Sequence, residues 1–379
     1  LDQVGLALHN FGGGGWLWVD LFADRDGKPG PLIGASALVN IEEISTRPGY
    51  RWVDFDFGRE NPILIPGAYW IALGFSGSPI VNWFYTYGKP VGPVHGTFVT
   101  PSLHDAHSRL RLYGIDGSAR GEITLPAIGT ASELSTESAR DSELFFSFTS
   151  YLAPTTIYRH DFTSARTEVF KAPQLRFDAG PYVTEQVFYR SQDGTRIPMF
   201  LTHRRDLVKD GTHPTYLYGY GGFNISLTPS FSPSVLVWLE LGGVLAVPNL
   251  RGGGEYGEAW HEAGMHDKKQ NVFDDFIAAA EYLVTERYTS TPKLAIGGGS
   301  NGGLLVGAAM TQRPDLFGAV LPAVGVMDML RFHKFTIGWA WVTEYGAADS
   351  ANQFPYLYAY SPLHRLKPGP AYPATLVTP

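Results

Sequence analysis

The fold class predicted by the sequence is an α/β domain with a mostly parallel sheet and helices on both faces, preceded by all-β segments. Three observations predict it. Up to about residue 178 the chain is a series of short aromatic or β-branched runs broken by turn signals. From about Ala179, near-continuous apolar strands alternate with helical stretches, the pattern of a sheet buried on both faces. Late in that stretch, a glycine-rich turn joins a buried strand to a helix of small residues.

Taken in order, residues 1–100 read as a small β-sandwich-like accessory domain. Trp16-Leu17-Trp18-Val19, Arg51 to Phe57 and Ala68 to Leu73 are strand-like. Gly12 to Gly15, Asp26-Gly27, Pro48-Gly49, Pro66-Gly67 and Gly77-Ser78-Pro79 are the turns between them. Trp83, Tyr85 and Tyr87 have the chemistry of a carbohydrate platform, but the packing of a core or an inter-sheet edge is the favoured reading. Residues 101–178 continue as strands around Leu110 to Tyr113, Glu143 to Phe148 and Thr156 to His160, as in a meander or propeller blades. They are too few to close a propeller of four or more blades.

Residues 179–379 form the α/β domain. Glu185 to Tyr189 and Pro198 to Leu201 flank Asp193-Gly194 as a hairpin. Tyr216 to Tyr220, Val244 to Val247, Leu294 to Gly297, Ala319 to Pro322 and Ala374 to Thr378 are the further strands. Asn271 to Glu286 is predicted helical, with Val272, Phe273, Phe276, Ile277 and Ala280 on one side.

Composition narrows the chemistry. With 379 residues, the chain is long enough for two or three domains with full cores. A formal net charge of −7 without a long basic run argues against nucleic acid or an anionic membrane as partner. No apolar run reaches the roughly 18–20 residues that span a bilayer. The absence of Cys removes disulfides, thiolate catalysis and Cys-based zinc sites. No metal, nucleotide or flavin motif is present, so no cofactor is expected. His104 and His107, three residues apart, read as surface residues.

The informative segment is Leu294 to Val306. Gly298-Gly299-Ser300-Asn301-Gly302 satisfies G-x-S-x-G, with a strand before it and a helix, Leu304 to Met310, after it. In that context a serine sits on a strained turn with its hydroxyl exposed, and larger residues at the flanking glycines would collide with the turn. The helix N-terminus then favours an oxyanion beside it. The same residues, from Gly297, also fit the spacing of a dinucleotide fingerprint. That reading wants an acidic residue at a following strand end, and Asp315 lies on a turn instead.

From about Leu103 to Thr378 the chain resembles the prolyl oligopeptidase (prolyl endopeptidase) family of serine peptidases. The runs that carry the resemblance are Tyr218 to Asn224, Asn249 to Gly257, Lys268 to Phe276, the elbow itself, Gln312 to Phe317 and Val324 to Leu330. It implies an α/β-hydrolase domain paired with a β-propeller, acting on short peptides after proline through a serine acyl-enzyme. It also implies site residues. Ser300 is the nucleophile, and the backbone N–H of Asn301 and the hydroxyl of Tyr220 are the oxyanion donors. Phe223, Val326, Trp341 and Tyr345 line the proline pocket. An indole stacked on a pyrrolidine ring buries apolar area without needing a polar partner.

In the same family an Asp and an Arg follow the strand matching Tyr372 to Thr378, and a His lies further on. The chain opens on Leu1 and stops at Pro379. Both ends are therefore expected to be cut, and the chain as given is expected to lack the triad Asp and His and to be nearly inactive alone. Asp315, Asp328, Asp349, His333 and His364 follow Ser300 but fall in segments that match non-catalytic parts of the family. The alternatives are a related serine hydrolase, such as an acylaminoacyl-peptidase or esterase, and a non-catalytic binding protein with a degenerate hydrolase half. Oligomeric state, physiological substrate and compartment, cytoplasmic or periplasmic/secreted, stay open.

Overall fold

The structure, a computed structural model, describes residues 3–10, 14–25, 28–44, 51–58, 62, 64, 69–77, 81–84, 91–114, 117–136 and 141–379. The turn signals at Asp26-Gly27, Pro48-Gly49 and Pro66-Gly67, the residues Tyr85 and Tyr87, and the side chain of Trp83 lie outside what it describes. Contacts divide the chain into two compact units, Leu1–Thr86 and Tyr87–Pro379.

The first unit is all β among its described residues, apart from one short 3-10 turn, Ile41–Glu43. One sheet has the antiparallel order Arg51–Asp56, Gln3–Asn10, Val81–Phe84. The other sets Gly15–Arg25 against Lys28–Ala35, Val39–Asn40 and Tyr69–Gly77. Along Gly15–Arg25 every second residue, Leu17, Val19 and Leu21, is buried, the period of a strand with one covered face. These side chains share a core with Leu8 and Phe55 of the other sheet.

The second unit opens with two four-stranded antiparallel meanders. Val91–Val94, Thr97–His104, His107–Gly114 and Ala119–Ile123 form the first. Thr130–Ser135, Glu143–Thr149, Thr156–Asp161 and Arg166–Lys171 form the second. Val99 and Leu110 of one and Leu144, Phe146 and Phe148 of the other pack into a single core, as neighbouring blades do. The strand Thr97–His104 runs across residue 100, so the first meander begins ahead of the boundary expected there.

The remainder is built on one seven-stranded sheet. Its strands are β1 (Tyr182–Arg190), β2 (Arg196–Arg204), β3 (Thr215–Tyr218), β4 (Val244–Pro248), β5 (Leu294–Gly299), β6 (Ala319–Ala323) and β7 (Ala374–Thr375). They lie in the order β1-β2-β4-β3-β5-β6-β7. The β1–β2 hairpin and the β2–β4 pair are antiparallel, and every pairing from β4 to β7 is parallel. The helices are α1 (Pro233–Glu240), α2 (Glu258–Glu262), α3 (Gln270–Thr285) and α4 (Asn301–Gln312), followed by shorter turns. Helix α3 buries Val272, Phe273, Phe276, Ala279, Ala280 and Leu283, spaced at three to four residues along one stripe. Ile277, expected on that side, is only partly buried. This stripe meets Leu304, Leu305 and Ala308 of α4 and Leu217, Leu294 and Ile296 of the sheet in the main core. The last strand is shorter than expected, but past Thr375 the chain stays tied to β6: the Leu376 N–H donates to the Val320 carbonyl at 3.0 Å, the Thr378 N–H to the Pro322 carbonyl at 3.1 Å, and Thr378 bridges Ala323.

Candidate active site

The turn between β5 and α4 has the geometry expected of a nucleophile elbow. Ser300 adopts φ +55° and ψ −116°, a conformation that costs a non-glycine residue on the order of 1–3 kcal/mol and persists only where the surroundings enforce it. The Ser300 N–H donates to the Ala323 carbonyl at 2.9 Å, and the Leu304 N–H donates to the Ser300 carbonyl at 3.1 Å. The two glycines of the motif are dictated by space. A Cβ at Gly302 would stand 2.5 Å from the Gly219 carbonyl oxygen, and one at Gly298 would press into the Gly302 carbonyl. Ser300 itself is half-buried at the mouth of the turn, with Asn301 opening the helix behind it. Unpaired N–H groups of that first turn favour negative charge there.

Facing the elbow is the segment that follows β3. Gly219 N–H donates to Gly297 O at 3.1 Å, which ties the segment to the end of β5. Gly221, Phe223 and Asn224 all have positive φ, at 64°, 57° and 56°. This tight reversal turns the Tyr220 side chain toward Ser300, near enough for the serine side chain to act on the phenol. Burial pushes the Tyr220 phenol above its usual pKa, against the opposing pull of Ser300. The group therefore keeps its proton at neutral pH, as a donor to developing negative charge must.

Asn301 links the two halves. It is 1% exposed, its Nδ2 donates to the Tyr220 carbonyl at 2.5 Å, and its Oδ1 accepts from the Tyr345 hydroxyl at 2.8 Å. Phe223, Val326 and Trp341 are half-buried and pack against the main core while keeping part of their surface free. Tyr345 differs. It has no exposed surface, and it meets Phe223 edge-on at 5.4 Å and Phe332 at 5.3 Å. In this structure it supports the site from behind rather than lining an open pocket, because its ring is enclosed and its hydroxyl is committed to Asn301.

Sequence reasoning missed the polar groups beneath the Tyr220 segment. Glu344, Lys269 and His261 are all buried, at 2%, 1% and 6% exposure. Glu344 Oε1 accepts the Phe223 N–H at 2.9 Å and lies 3.4 Å from Lys269 Nζ, while His261 Nε2 lies 2.9 Å from Oε2. Lys269 Nζ also donates to the Gly221 carbonyl at 3.0 Å. A second buried pair holds the neighbouring loop: Arg251 NH2 donates to Asp275 Oδ1 at 2.6 Å, with further bonds to Asp193 and Ser191 of the hairpin. The Asn224 N–H donates to the Gly252 carbonyl at 3.1 Å, so this loop in turn supports the Tyr220 segment. No sequence signal marks either cluster, since the partners are far apart in the chain and isolated charges read as surface.

The acids and histidines after Ser300 are engaged elsewhere. His333 Nε2 lies 3.0 Å from Asp349 Oδ2, and His364 Nδ1 lies 2.8 Å from Ser361 Oγ. Asp315 pairs with Arg313 and Asp328 with Arg331. His104 and His107 flank Asp105 at the end of a meander hairpin. A polar cleft of about 410 Å³ between the β1–β2 turn and helix α3, lined by Arg190, Asp274, Glu281 and Arg313, shares no residue with the elbow.

Comparison with known proteins agrees with this architecture. Residues 229–379 match the prolyl oligopeptidase family, and residues 90–173 match the prolyl oligopeptidase N-terminal beta-propeller domain. A prolyl endopeptidase from Elizabethkingia miricola is 51% identical over 283 residues, which cover 74% of this chain and 40% of that protein. A solved structure from a study of two prolyl endopeptidases has a TM-score of 0.72 at 41% identity and covers 94% of this chain and 53% of that one. Prolyl oligopeptidase B from Galerina marginata, solved bound to a 25mer macrocyclization substrate, has a TM-score of 0.76 at 30% identity, covering 99% of this chain and 54% of that one. The chain thus spans about two fifths of the curated relative and about half of the solved chains. The likeness in fold reaches into the residues ahead of Leu103, where the sequence motifs that carry it begin. On two matched segments that together take in more than half of its residues, with an elbow, sheet order and antiparallel meanders to suit, the chain belongs to the prolyl oligopeptidase family.

Proposed function

We propose that this chain carries the nucleophile and oxyanion donors of a serine peptidase that hydrolyses short peptides after proline. The observation that carries the reading is Ser300 on a strained strand-to-helix turn with the Tyr220 side chain turned toward it. Ser300 Oγ would attack the carbonyl carbon of the residue before the scissile bond. The negative charge that develops on the carbonyl oxygen would then be met by the Tyr220 hydroxyl and the Asn301 backbone N–H. The half-buried side chains of Phe223, Trp341 and Val326 offer apolar surface of the kind that suits a pyrrolidine ring, and Tyr345 packs edge-on against Phe223. Those residues favour proline specificity over the broader acyl specificity of an acylaminoacyl-peptidase or esterase.

The serine needs a general base, and the histidines described after Ser300 are bonded to Asp349 and Ser361. In this reading the acid–base pair comes from outside residues 1–379, and the chain alone turns over slowly. Residues 179–379 form the catalytic domain and the meanders before them a part of the propeller. The antiparallel sheets of residues 1–100 are assigned to the same architecture, because the likeness to solved family members covers 94% of the chain.

The experiment compares hydrolysis of two chromogenic peptides, alike except for Pro or Ala before the leaving group, by this chain and by its Ser300→Ala variant. A slow, proline-selective rate that Ser300→Ala abolishes is expected. Equal rates on the two peptides would overturn the proline assignment. Fast turnover dependent on Ser300 would overturn the outside acid–base pair.

A further inference from the structure

We infer that Glu344 is a positioning residue for the oxyanion site: its buried carboxylate sets the turn from Tyr220 to Phe223 against Ser300. The inference rests on the serine-peptidase reading above. The turn needs an external hold, because Gly221, Phe223 and Asn224 sit at φ 64°, 57° and 56°, and side-chain-bearing residues do not stay there unaided. Glu344 supplies that hold at two points. Its Oε1 accepts the Phe223 N–H at 2.9 Å, and it is the counter-ion, at 3.4 Å, of the Lys269 ammonium that donates to the Gly221 carbonyl at 3.0 Å. One ion pair thus grips the turn by an N–H on one side of Gly222 and a carbonyl on the other. His261 Nε2, 2.9 Å from Oε2, fixes the second carboxylate oxygen, so the carboxylate cannot rotate away.

The next residue serves the opposite half. Tyr345 holds Asn301 through its hydroxyl, and Asn301 Nδ2 returns to the Tyr220 carbonyl. Two consecutive residues therefore fix both proposed donors, the Tyr220 hydroxyl through its turn and the Asn301 backbone through its side chain. An oxyanion donor acts through placement, and displacement of about 1 Å is enough to cost as much as 10²-fold in rate. Glu344 itself touches neither the serine nor a substrate position in the contacts described, which is why its role is positioning.

The test uses equilibrium binding, which needs no general base. Two peptides are compared, one ending in prolinal and one in prolinol. With the aldehyde, the Ser300 Oγ–H adds across the C=O. An Oγ–C bond forms, the π bond breaks and the proton ends on the former carbonyl oxygen, which occupies the oxyanion site with no leaving group. The alcohol reads the proline pocket alone. Glu344→Gln keeps the shape but removes the counter-ion of Lys269. It is expected to weaken aldehyde binding about tenfold and leave alcohol binding within about twofold. The double variant Glu344→Gln with Lys269→Met removes the unpaired buried charge and is expected to regain thermal stability without regaining aldehyde preference. If the double variant recovers both, or if Glu344→Gln keeps the wild-type aldehyde-to-alcohol ratio, the inference is overturned. A wild-type chain that binds neither peptide overturns the serine-peptidase reading and this inference with it. A wild-type chain that binds both without preferring the aldehyde removes the oxyanion role on which the inference stands.

Discussion

The Tyr345 hydroxyl donates to Asn301 Oδ1 at 2.8 Å, and both side chains are sealed from solvent. Asn301 is the residue whose backbone follows the nucleophile, so this bond connects the core to the first turn of α4. Replacing Tyr345 by Phe keeps the ring that packs edge-on against Phe223 and Phe332 but leaves Asn301 Oδ1 buried without its donor. Such a loss costs about 1–3 kcal/mol. Urea unfolding of Tyr345→Phe should show a lower midpoint at unchanged slope. An unchanged midpoint would mean that Asn301 finds another partner and that Tyr345 acts by packing alone.

The elbow's glycines are expected to tolerate substitution unequally. Gly298→Ala and Gly302→Ala drive a methyl group into backbone carbonyls of Gly302 and Gly219, contacts that no side-chain rotation relieves. Overpacking of this kind costs about 1–3 kcal/mol, and both variants should also distort Ser300. Gly299→Ala meets nothing closer than Ala323 O at 3.9 Å and should stay within about 0.5 kcal/mol of wild type. Thermal melts of the three variants separate the required positions of G-x-S-x-G from the free one. A Gly299→Ala loss equal to the others would refute the steric account.

The elbow was legible in the sequence because its demand is local. A strand, a turn with positive φ and a helix fall within a dozen residues, and only small residues satisfy the turn. Helix α3 was legible because its buried positions repeat at helical spacing. The Tyr220 role came from resemblance alone, since nothing in the sequence itself announces a phenol that reaches a serine 80 positions later. Tyr345 was expected on the pocket wall, and enclosure of a ring is settled by packing from Phe332 and Asn301, which no local pattern encodes. The same limit hid Glu344 and Lys269, 75 residues apart, whose meeting depends on the whole sheet being assembled.

His261 should give the protein an alkaline weakness. Burial acts to lower its pKa, but hydrogen bonds to Glu258 and Glu344 and the charge of both carboxylates outweigh it and raise the value to about 9. A histidine near 6.5 in the unfolded chain and near 9 when folded binds its proton more tightly in the folded state. Its contribution is therefore complete below about pH 6.5 and is lost as pH rises through about 9. Lys269, whose pKa burial lowers, works in the opposite sense. Unfolding free energies from pH 6 to 10 should fall for the wild type and flatten across pH 6.5–9 in His261→Gln. Parallel curves for the two proteins would show that His261 is not the group responsible.

Glu255 is the opposite case, a buried carboxyl that the fold holds at a disadvantage. It is 6% exposed, and burial raises its pKa to about 7, against the Leu227 N–H and Asn249 Nδ2 as donors. Those donors leave Oε2 without a partner, and Asn249 Oδ1 close by is also unpaired. Because the folded pKa lies above the unfolded value, near 4.5, folding favours the protonated acid. Stability falls as pH rises through about 7. Glu255→Gln fixes the neutral form permanently. Its Oε1 keeps both acceptor roles, and its amide adds a donor where the structure has unmatched oxygens. The variant should be close to wild type near pH 5 and exceed it at pH 8 by on the order of 3 kcal/mol, the free energy of moving a carboxyl from about 4.5 to about 7. Chemical denaturation at the two pH values measures the difference. A Gln variant less stable than wild type at pH 8 would mean that the ionised carboxylate is satisfied in the folded protein and that the unpaired oxygen is not a source of strain.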